Sequence, residues 1–562
     1  MRIRFCGATA GVTGSCHLLM TDKHKVLLDC GQFQGGKAQE AMNAEPFPFD
    51  PGEIECVILS HAHIDHCGRL PLLVKRGFHG KIYCTSATAD LLGVMLQDSA
   101  YIHEREAEWQ NRKNTRAGKP KVEPLYTAQD AVNTMQYVQP VLYQQLVEIN
   151  DEMRIVFNDA GHILGSAITE IWVKEDHRET KIVFTGDLGE TDRPILKDPT
   201  IIKKADCVIM ETTYGDRLHT EHVGDVKKLI DIILKTTRRG GTAVIPSFAV
   251  GRTQELIYQL NQFYEHDERY KDELSHLTVY VDSPMAMTAT QVFRRNPQVF
   301  DEETKKLILT GDDPLDFPNL KFTKTSDESR QLNFDHSPKV IISASGMCDA
   351  GRIRHHLKHN LWDPKSSVIF VGYQAVGTLG RALVDGVKDV TLFGEQVHVN
   401  AEIYNLQGFS AHADQHGLFT WAAGFQKPPK QLFLVHGELS AKETFAKLLH
   451  DKLGYDPIVL NGNAEFEISG TDVSLLNQET AERKEAENQE IQRLRNQISE
   501  IHSDLENILY NANLAMGSGL SEKSLVQMNN IVQELNKSTM DLGAAVSEAG
   551  EEEKQQQIPK KV

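Results

Sequence analysis

The sequence predicts an α/β protein in which one domain is inserted into another. Three observations lead to this fold class: apolar runs recur up to residue 211, strands and helices alternate over 212–400, and the pattern of the first region returns at 401–468. Alternating strands and helices are typical of a domain with a largely parallel sheet. The chain of 562 residues also exceeds the roughly 250–300 residues that one hydrophobic core usually holds.

The first region, 1–211, contains apolar runs that predict buried strands, each followed by a turn or polar residue. These runs are VILS (57–60), RIVF (154–157), KIVF (181–184) and CVIM (207–210). Residues 86–147 between the first two runs are charged and favour helix, so we expect an outer helical layer there.

The middle region, 212–400, repeats a strand followed by a helix. Its predicted strands are TAVIPSF, TVYVDSP, KVIISASG and SSVIFVGYQ. After it, FLVHGE (433–438) again places a polar residue behind an apolar strand. We therefore expect an inserted α/β domain, with the first domain completed by residues 401–468.

Residues 469–545 differ in kind, because apolar residues recur there at spacings of three and four on both sides of a Gly-Ser-Gly break. These residues are Ile491, Leu494, Ile498, Ile501, Leu505 and Ile508, then Leu525, Met528, Val532, Leu535 and Leu542. The pattern predicts two helices in a hairpin. Packing on the chain's own body and a homo-oligomer seam are equally compatible with it, and 546–562 are predicted to be disordered.

Composition excludes several classes of protein. The eight cysteines form no C-x-x-C pair, which argues against a zinc ribbon and a disulfide framework. The N-terminus lacks the apolar core of a signal peptide, and no run of about 18 apolar residues occurs, so we expect a cytoplasmic protein without a membrane partner. The net charge of −18 disfavours non-specific binding to nucleic acid, although 471–562 contribute −7 of it through 16 acids and 9 bases.

The strongest motif is HAHIDH at 61–66, directly after the strand VILS. On a tight turn, its histidines and aspartate can offer imidazole and carboxylate ligands to two adjacent cations. An ordinary core role is excluded, because these four polar groups cannot all be buried without partners. His162, Asp187 and His436 each follow another apolar strand and are the remaining candidate ligands, although each alone is equally suited to a turn.

The whole set resembles the motifs of β-CASP nucleases, which belong to the metallo-β-lactamase superfamily. These nucleases include the endonuclease subunit of the cleavage and polyadenylation specificity factor. The likeness covers about residues 1–465. Motifs one to four are similar to Asp29 in LLDCG, HAHIDH at 61–66, His162 and Asp187, and motifs A to C to Glu211 in ETTYGDR, His412 in GFSAHAD and His436 in LVHGE. The resemblance implies a metallo-β-lactamase αββα sandwich with an inserted α/β β-CASP cap, followed by the helical extension.

The resemblance also implies roles for these residues. Two zinc ions are expected, one held by His61, His63 and His162, the other by Asp65, His66 and His436. Asp187 would bridge them, and Asp29 would orient the site. A histidine at the last motif marks RNA-directed members, so the resemblance implies a zinc-dependent endo- or 5′-exoribonuclease for RNA processing or decay.

In such an enzyme a metal-bridging hydroxide would attack the phosphodiester. His412 and Glu211 would be the general acid pair that protonates the leaving sugar oxygen, and Asp65 is the third candidate catalytic residue. Eight further residues, most of them at strand-to-helix turns suited to phosphate, are candidates for RNA contact, with a purely structural role as the alternative. They are Ser247, Arg252, Ser345, Gly346, Arg352, Thr378, Arg381 and Ser410.

Two other functions compete with this hypothesis. A thioester or lactone hydrolase of the same fold would use HAHIDH without a cap, but it gives no reason for Glu211, His412 and His436 together. A scaffold subunit with a decayed site is disfavoured because all seven metal positions carry competent ligands.

Overall fold

A computed structural model describes residues 1–478 except 176, 177, 220, 221, 266, 373, 375, 376, 470 and 471. The predicted helical hairpin, with its possible oligomer seam, and the predicted disordered tail lie outside the described residues.

The strands are β1 (Arg2–Phe5), β2 (His17–Met20), β3 (Lys25–Leu28), β4 (Cys56–Ile58), β5 (Lys81–Thr85), β6 (Val138–Val141), β7 (Val147–Glu148), β8 (Met153–Asp159), β9 (Ala167–Glu175), β10 (Arg178–Phe184), β11 (Cys207–Glu211), β12 (Thr242–Pro246), β13 (Val279–Val281), β14 (Leu320–Phe322), β15 (Lys339–Ser343), β16 (Ser367–Phe370), β17 (Asp389–Leu392), β18 (Glu395–His398), β19 (Glu402–Asn405), β20 (Gln431–Val435), β21 (Ile458–Val459), β22 (Ala464–Ser469) and β23 (Asp472–Gln478).

The α-helices are α1 (Lys37–Ala41), α2 (Ile64–Cys67), α3 (Leu70–Lys75), α4 (Ser86–Arg116), α5 (Ala128–Thr134), α6 (His222–Arg238), α7 (Arg252–Glu265), α8 (Glu268–Leu274), α9 (Pro284–Arg295), α10 (Glu302–Leu309), α11 (Ser326–Phe334), α12 (Ile353–Asn360), α13 (Leu379–Val384), α14 (Gln415–Ala422) and α15 (Leu439–Leu453).

Two large sheets form a sandwich. The first has the strand order β23-β22-β1-β2-β3-β4-β5-β6 and the second β21-β20-β11-β10-β9-β8-β7. Their facing sides share one apolar core, to which β1 contributes Phe5 and β10 contributes Phe184. Successive residues of a strand point to opposite sides, so Val183 of β10 packs instead against α14 and α15 on the outer side.

Helices cover both outer faces of the sandwich. Leu70 of α3 and Leu92 of α4 pack on the outer face of the first sheet, and Trp421 of α14 and Phe445 of α15 pack on that of the second. This αββα arrangement with a cap inserted between β11 and β20 confirms the predicted fold class.

The cap is built on a third sheet with the order β14-β13-β15-β12-β16-β19. All its strand pairs are parallel, as the alternation of strands and helices predicts. The predicted cap boundary at residue 400 is too early, because β19 pairs with β16 and therefore belongs to the cap sheet. The sequence EIYN of β19 is short and half-polar, which explains why it carries no clear strand signal.

Two further expectations need correction. The region 86–147 contains the predicted helices α4 and α5, but also β6 and β7, which are short and partly exposed. The helical extension was predicted from residue 469, but Asp472–Gln478 forms β23, which pairs antiparallel with β22 across a tight turn. No helix among the described residues is long and apolar enough to cross a membrane.

Candidate metal centre

The predicted ligands meet at one edge of the sandwich. Strands β8, β10, β11 and β20 run in the same direction, because β10, β11 and β20 are parallel neighbours and β8 is antiparallel to the intervening β9. The carboxyl ends of parallel strands lie at a common edge, where ligand sites form. His162, Asp187, Glu211 and His436 stand at or just beyond these four ends, and loop 61–66 follows β4 in the facing sheet.

One group of nitrogen donors consists of His61, His63 and His162. The Nε2 atoms of His61 and His162 each lie 3.1 Å from Nδ1 of His63 and 3.5 Å from Oδ2 of Asp187. Burial lowers the pKa of His61 and His162 well below the ordinary value and that of His63 to about 4. Neutral imidazole is the form in which histidine binds a metal, so these three side chains fit that task.

A second group consists of Asp65, His66 and His436. Nε2 of His66 lies 3.2 Å from Nε2 of His436 and 3.2 Å from Oδ2 of Asp187. Oδ2 of Asp65 lies 3.5 Å from Nε2 of His436. Burial lowers the pKa of His66, but the charges of Asp187, Asp65 and Asp29 more than offset it, so the pKa lies well above its usual value. The surrounding carboxylates therefore favour positive charge at this position.

Asp187 lies between the two groups. Its side chain is buried, and its Oδ1 has no hydrogen-bond partner within the described part of the chain, which is costly for a buried acceptor. Burial raises the pKa of this carboxyl, but His436 and His66 lower it more, so it stays ionised. An ionised, under-bonded carboxylate that faces two sets of imidazole and carboxylate donors fits a pair of divalent cations such as zinc.

Asp29 supports the second group from below. It follows β3 with φ at 58°, a conformation that aspartate tolerates better than most residues. Its Oδ2 lies 2.7 Å from Nδ1 of His66, and it accepts hydrogen bonds from Oγ of Ser15 (3.0 Å) and from N and Oγ of Ser60 (2.8 and 2.9 Å). These bonds fix the ring of His66 with Nε2 turned inward, as carboxylates do behind metal-binding histidines.

Glu211 and His412, which are 201 residues apart in the sequence, lie side by side. Nδ1 of His412 is 3.2 Å from Oε1 of Glu211 and 4.0 Å from Oδ2 of Asp187. Glu211 is held in turn by N–H of Leu188 (2.7 Å) and by N–H and Oγ–H of Thr213 (3.1 and 2.6 Å). Burial lowers the pKa of His412, but Glu211 and Asp187 raise it to about 9. The pair can therefore hold a proton beside both donor groups.

The predicted substrate residues nearest the metal donors lie on two turns. The ring of Phe248, next to Ser247, is 6.4 Å from the ring of His63, and a Cβ on Gly346 would meet that same ring at 2.9 Å. Ser247 itself is buried, with its Oγ 3.0 Å from Oγ1 of Thr253. Ser345, adjacent to Gly346, donates weakly from Oγ to the carbonyl of Ala350 at 3.4 Å.

The other predicted substrate residues have contacts within the protein. Arg252 pairs with Glu255, Arg352 donates to Oδ1 of Asp282 at 2.6 Å, and Arg381 donates to both oxygens of Asp385 at 2.9 Å. Thr378 accepts from N of Arg381 and caps α13. Ser410 hydrogen-bonds the side chain of Tyr214, whose ring is 6.1 Å from that of His412.

Sequence reasoning did not identify several residues that hold the site together. Ser15, Ser60 and Thr213 bind Asp29 or Glu211 through hydroxyl groups, and the ring of His219 lies 3.1 Å from the carbonyl of His412. Ser60 and Thr213 each stand next to or near a motif residue, which is the only sequence signal they carry. Ser15 and His219 reach the site through tertiary structure alone.

Three protein-family descriptions match the chain in overlapping order. Residues 10–247 match the metallo-beta-lactamase superfamily, 253–383 the Beta-Casp domain, and 396–460 the Zn-dependent metallo-hydrolase RNA specificity domain. The third match contains both His412 and His436.

Similar curated proteins come from a bacterium and an archaeon. Ribonuclease TTHA0252 of Thermus thermophilus is 37% identical over 449 residues, which are 80% of this chain and 96% of that protein. The RNase J-like protein of Methanocaldococcus jannaschii is 32% identical and covers 79% and 94%. Transcription termination factor FttA of the same archaeon is 31% identical and covers 82% and 71%.

Proposed function

Because the chain belongs to the β-CASP family of metallo-β-lactamase-fold hydrolases, we propose that it is a zinc-dependent ribonuclease that hydrolyses RNA phosphodiester bonds in RNA processing or decay. One observation carries this proposal: two donor groups share the buried Asp187, and the Glu211–His412 pair stands directly beside them. A hydrolase of small thioesters or lactones has no use for this pair, whereas an alkoxide leaving group needs a proton.

The metal assignment follows the two donor groups. His61, His63 and His162 hold one zinc ion, Asp65, His66 and His436 hold the other, and Asp187 serves both. When bound, two such cations lower the pKa of a water molecule and stabilise negative charge on a phosphate. The unbonded Oδ1 of Asp187 and the inward-facing imidazole nitrogens support this assignment.

The chain's own residues supply the proton. Glu211 fixes the ring of His412 through Nδ1, which leaves Nε2 free to face the substrate. Since the pKa of His412 is raised to about 9, the ring is protonated at neutral pH and can donate to the departing 3′ oxygen. Asp65 is placed among the catalytic residues through its position in the second donor group.

RNA is the proposed substrate because relatives named as a ribonuclease and as RNase J-like match over most of their own lengths. The match to an RNA specificity domain over 396–460 supports the same choice.

The deciding experiment incubates purified protein with RNA labelled at the 5′ or the 3′ end, with and without a chelator. We expect cleavage that the chelator abolishes and that zinc restores. Internal fragments indicate endonuclease action, and mononucleotides released from one end indicate exonuclease action. Absence of metal-dependent cleavage, together with hydrolysis of thioester or lactone substrates, would overturn the proposal.

A further inference from the structure

The distal half of α4 and the loop after it carry an unusual local charge. Between Trp109 and Val122 the sequence contains no acidic residue, in a chain whose net charge is −18. It contains five basic residues, all exposed: Arg112, Lys113, Arg116, Lys119 and Lys121. We call residues 109–121 the basic arm. Within the described residues, no ion pair involves any of these five bases.

The arm presents its charged side chains in an ordered way. An α-helix turns by about 100° per residue, which places six exposed side chains of α4 within a stripe about 120° wide, opposite the buried Ala107 and Asn114. These side chains are Tyr101, Arg105, Trp109, Arg112, Lys113 and Arg116. Nζ of Lys113 lies 3.3 Å from the centroid of the exposed Trp109 ring. Glu106 and Glu108 flank the stripe only on the side toward the body of the domain.

The loop that follows α4 is fixed to the helix. The side chain of Asn111 donates to the carbonyl of Val122 at 2.9 Å and accepts from its N–H at 2.7 Å. The side chain of Asn114 donates to the carbonyl of Pro120 at 2.8 Å. The cations of the loop are therefore held beside those of the helix.

α4 also connects the arm to the metal-site edge of the sandwich. At its start, Thr88 donates to the carbonyl of Gly165, three residues after His162, at 2.8 Å. Farther along, Nε2 of His103 lies 2.8 Å from Nε2 of Gln32, which donates to the carbonyl of Gly68, two residues after His66. Beyond His103 the helix continues for thirteen residues, about 20 Å.

From this geometry we propose that the basic arm is an accessory binding surface for single-stranded RNA, which holds the substrate outside the catalytic cleft. Cations paired with no carboxylate attract phosphates, and an exposed tryptophan offers a face on which a base stacks. The inference rests on the proposed ribonuclease function and extends it. It also explains how a chain with a net charge of −18 retains a polyanionic substrate.

The test compares R112Q/K113Q/R116Q with the control K427Q/K447Q/K452Q, which removes the same charge from exposed positions on and near α15. Zinc-loaded proteins are assayed on a five-nucleotide RNA, which fills only the cleft, and on a 25-nucleotide RNA. For the arm variant we expect kcat/KM to fall at least tenfold on the long RNA and to stay unchanged on the short one. Its log–log dependence of affinity on salt should flatten by about 2, since each lost phosphate contact on a single strand contributes about 0.7.

Trp109→Ala should weaken binding of the long RNA about tenfold without changing the salt dependence, because it removes stacking and no charge. Equal behaviour of the arm variant and the control on the long RNA overturns the arm proposal while leaving the ribonuclease intact. Failure of the wild type to bind or cleave either RNA overturns both proposals.

Discussion

Asp187 is the residue on which the two donor groups depend together. Its Oδ2 lies 3.5 Å from nitrogens of His61 and His162 in one group and 3.2 Å from that of His66 in the other. We therefore expect Asp187→Ala to lose both zinc ions, whereas Asp198→Ala, an exposed aspartate in the following loop, keeps them. Metal analysis of the dialysed proteins measures this. About two zinc ions per chain are expected in the wild type, and a full complement in Asp187→Ala would refute the shared carboxylate.

His412 allows the proton-transfer step to be tested separately from metal binding. His412→Ala should slow cleavage of ordinary RNA by about 10²–10⁴-fold, the usual contribution of a general acid. A substrate with sulfur at the 3′ bridging position leaves as a thiolate, which needs no proton. The variant should then approach the wild-type rate, with its zinc content unchanged. An equal defect on both substrates would assign His412 to positioning alone.

Lys442 is a buried cation whose ionisation affects stability. Its Nζ donates to the carbonyls of Thr9 and Leu460, and burial lowers its pKa to about 8 from an ordinary 10.5. The native state therefore binds fewer protons than the unfolded state between about pH 8 and pH 10.5, so stability rises with pH in that window.

Relative to Lys442→Met, the wild type should gain about 3 kcal/mol in the free energy of unfolding across this window. Below about pH 8 the difference should be constant. Urea denaturation of both proteins at several pH values measures it, and parallel pH dependences would show that Lys442 keeps an ordinary pKa.

At the scale of elements, the sequence predicted the site better than it predicted the sheets. An apolar strand followed by a histidine or an acid locates His61, His162, Asp187 and His436, because parallel strands end at one edge whatever their order. Strands β6, β7 and β19 were missed, since they are short and only partly buried and their pairing depends on neighbours distant in sequence. The proximity of Glu211 and His412 was inferred from family resemblance, because spacing cannot show it.

The loop after β3 packs against loop 61–66 with no room for a side chain. A Cβ on Gly31 would lie 1.6 Å from the carbonyl oxygen of Asp65. Cys30 donates to the carbonyl of His66 at 2.8 Å, so the two loops cannot separate without losing hydrogen bonds.

Gly31→Ala should therefore displace loop 61–66 and weaken zinc binding at least tenfold, as changes behind metal ligands do. Gly11→Ala, where nothing lies within 4 Å of the added Cβ, is the matched control. Competition with a chelator measures both affinities. Equal zinc affinity of the two variants would show that the loop adapts without cost to its ligands.

At the scale of the whole molecule, the sandwich and the extension divide farther along the chain than the sequence suggested. The boundary was predicted at residue 469, but Asp472–Gln478 pairs with β22 and extends the first sheet to eight strands. The heptad pattern that predicts two helices begins only at Ile491. Compact units divide at the same place, with one ending at Ala481.

This boundary decides how the predicted oligomer seam is tested. A chain that ends after Gln478 keeps β23 and removes every heptad residue, so it should retain its zinc content and its thermal midpoint. If the heptads form an intermolecular seam, light scattering should give a lower mass for this chain than for the full-length protein. A chain that ends at Gly470 is a poor probe, because it removes β23, exposes the edge of β22 and should also lower the thermal midpoint. An unchanged mass for the chain ending at Gln478 would exclude the intermolecular seam and favour a hairpin within one chain.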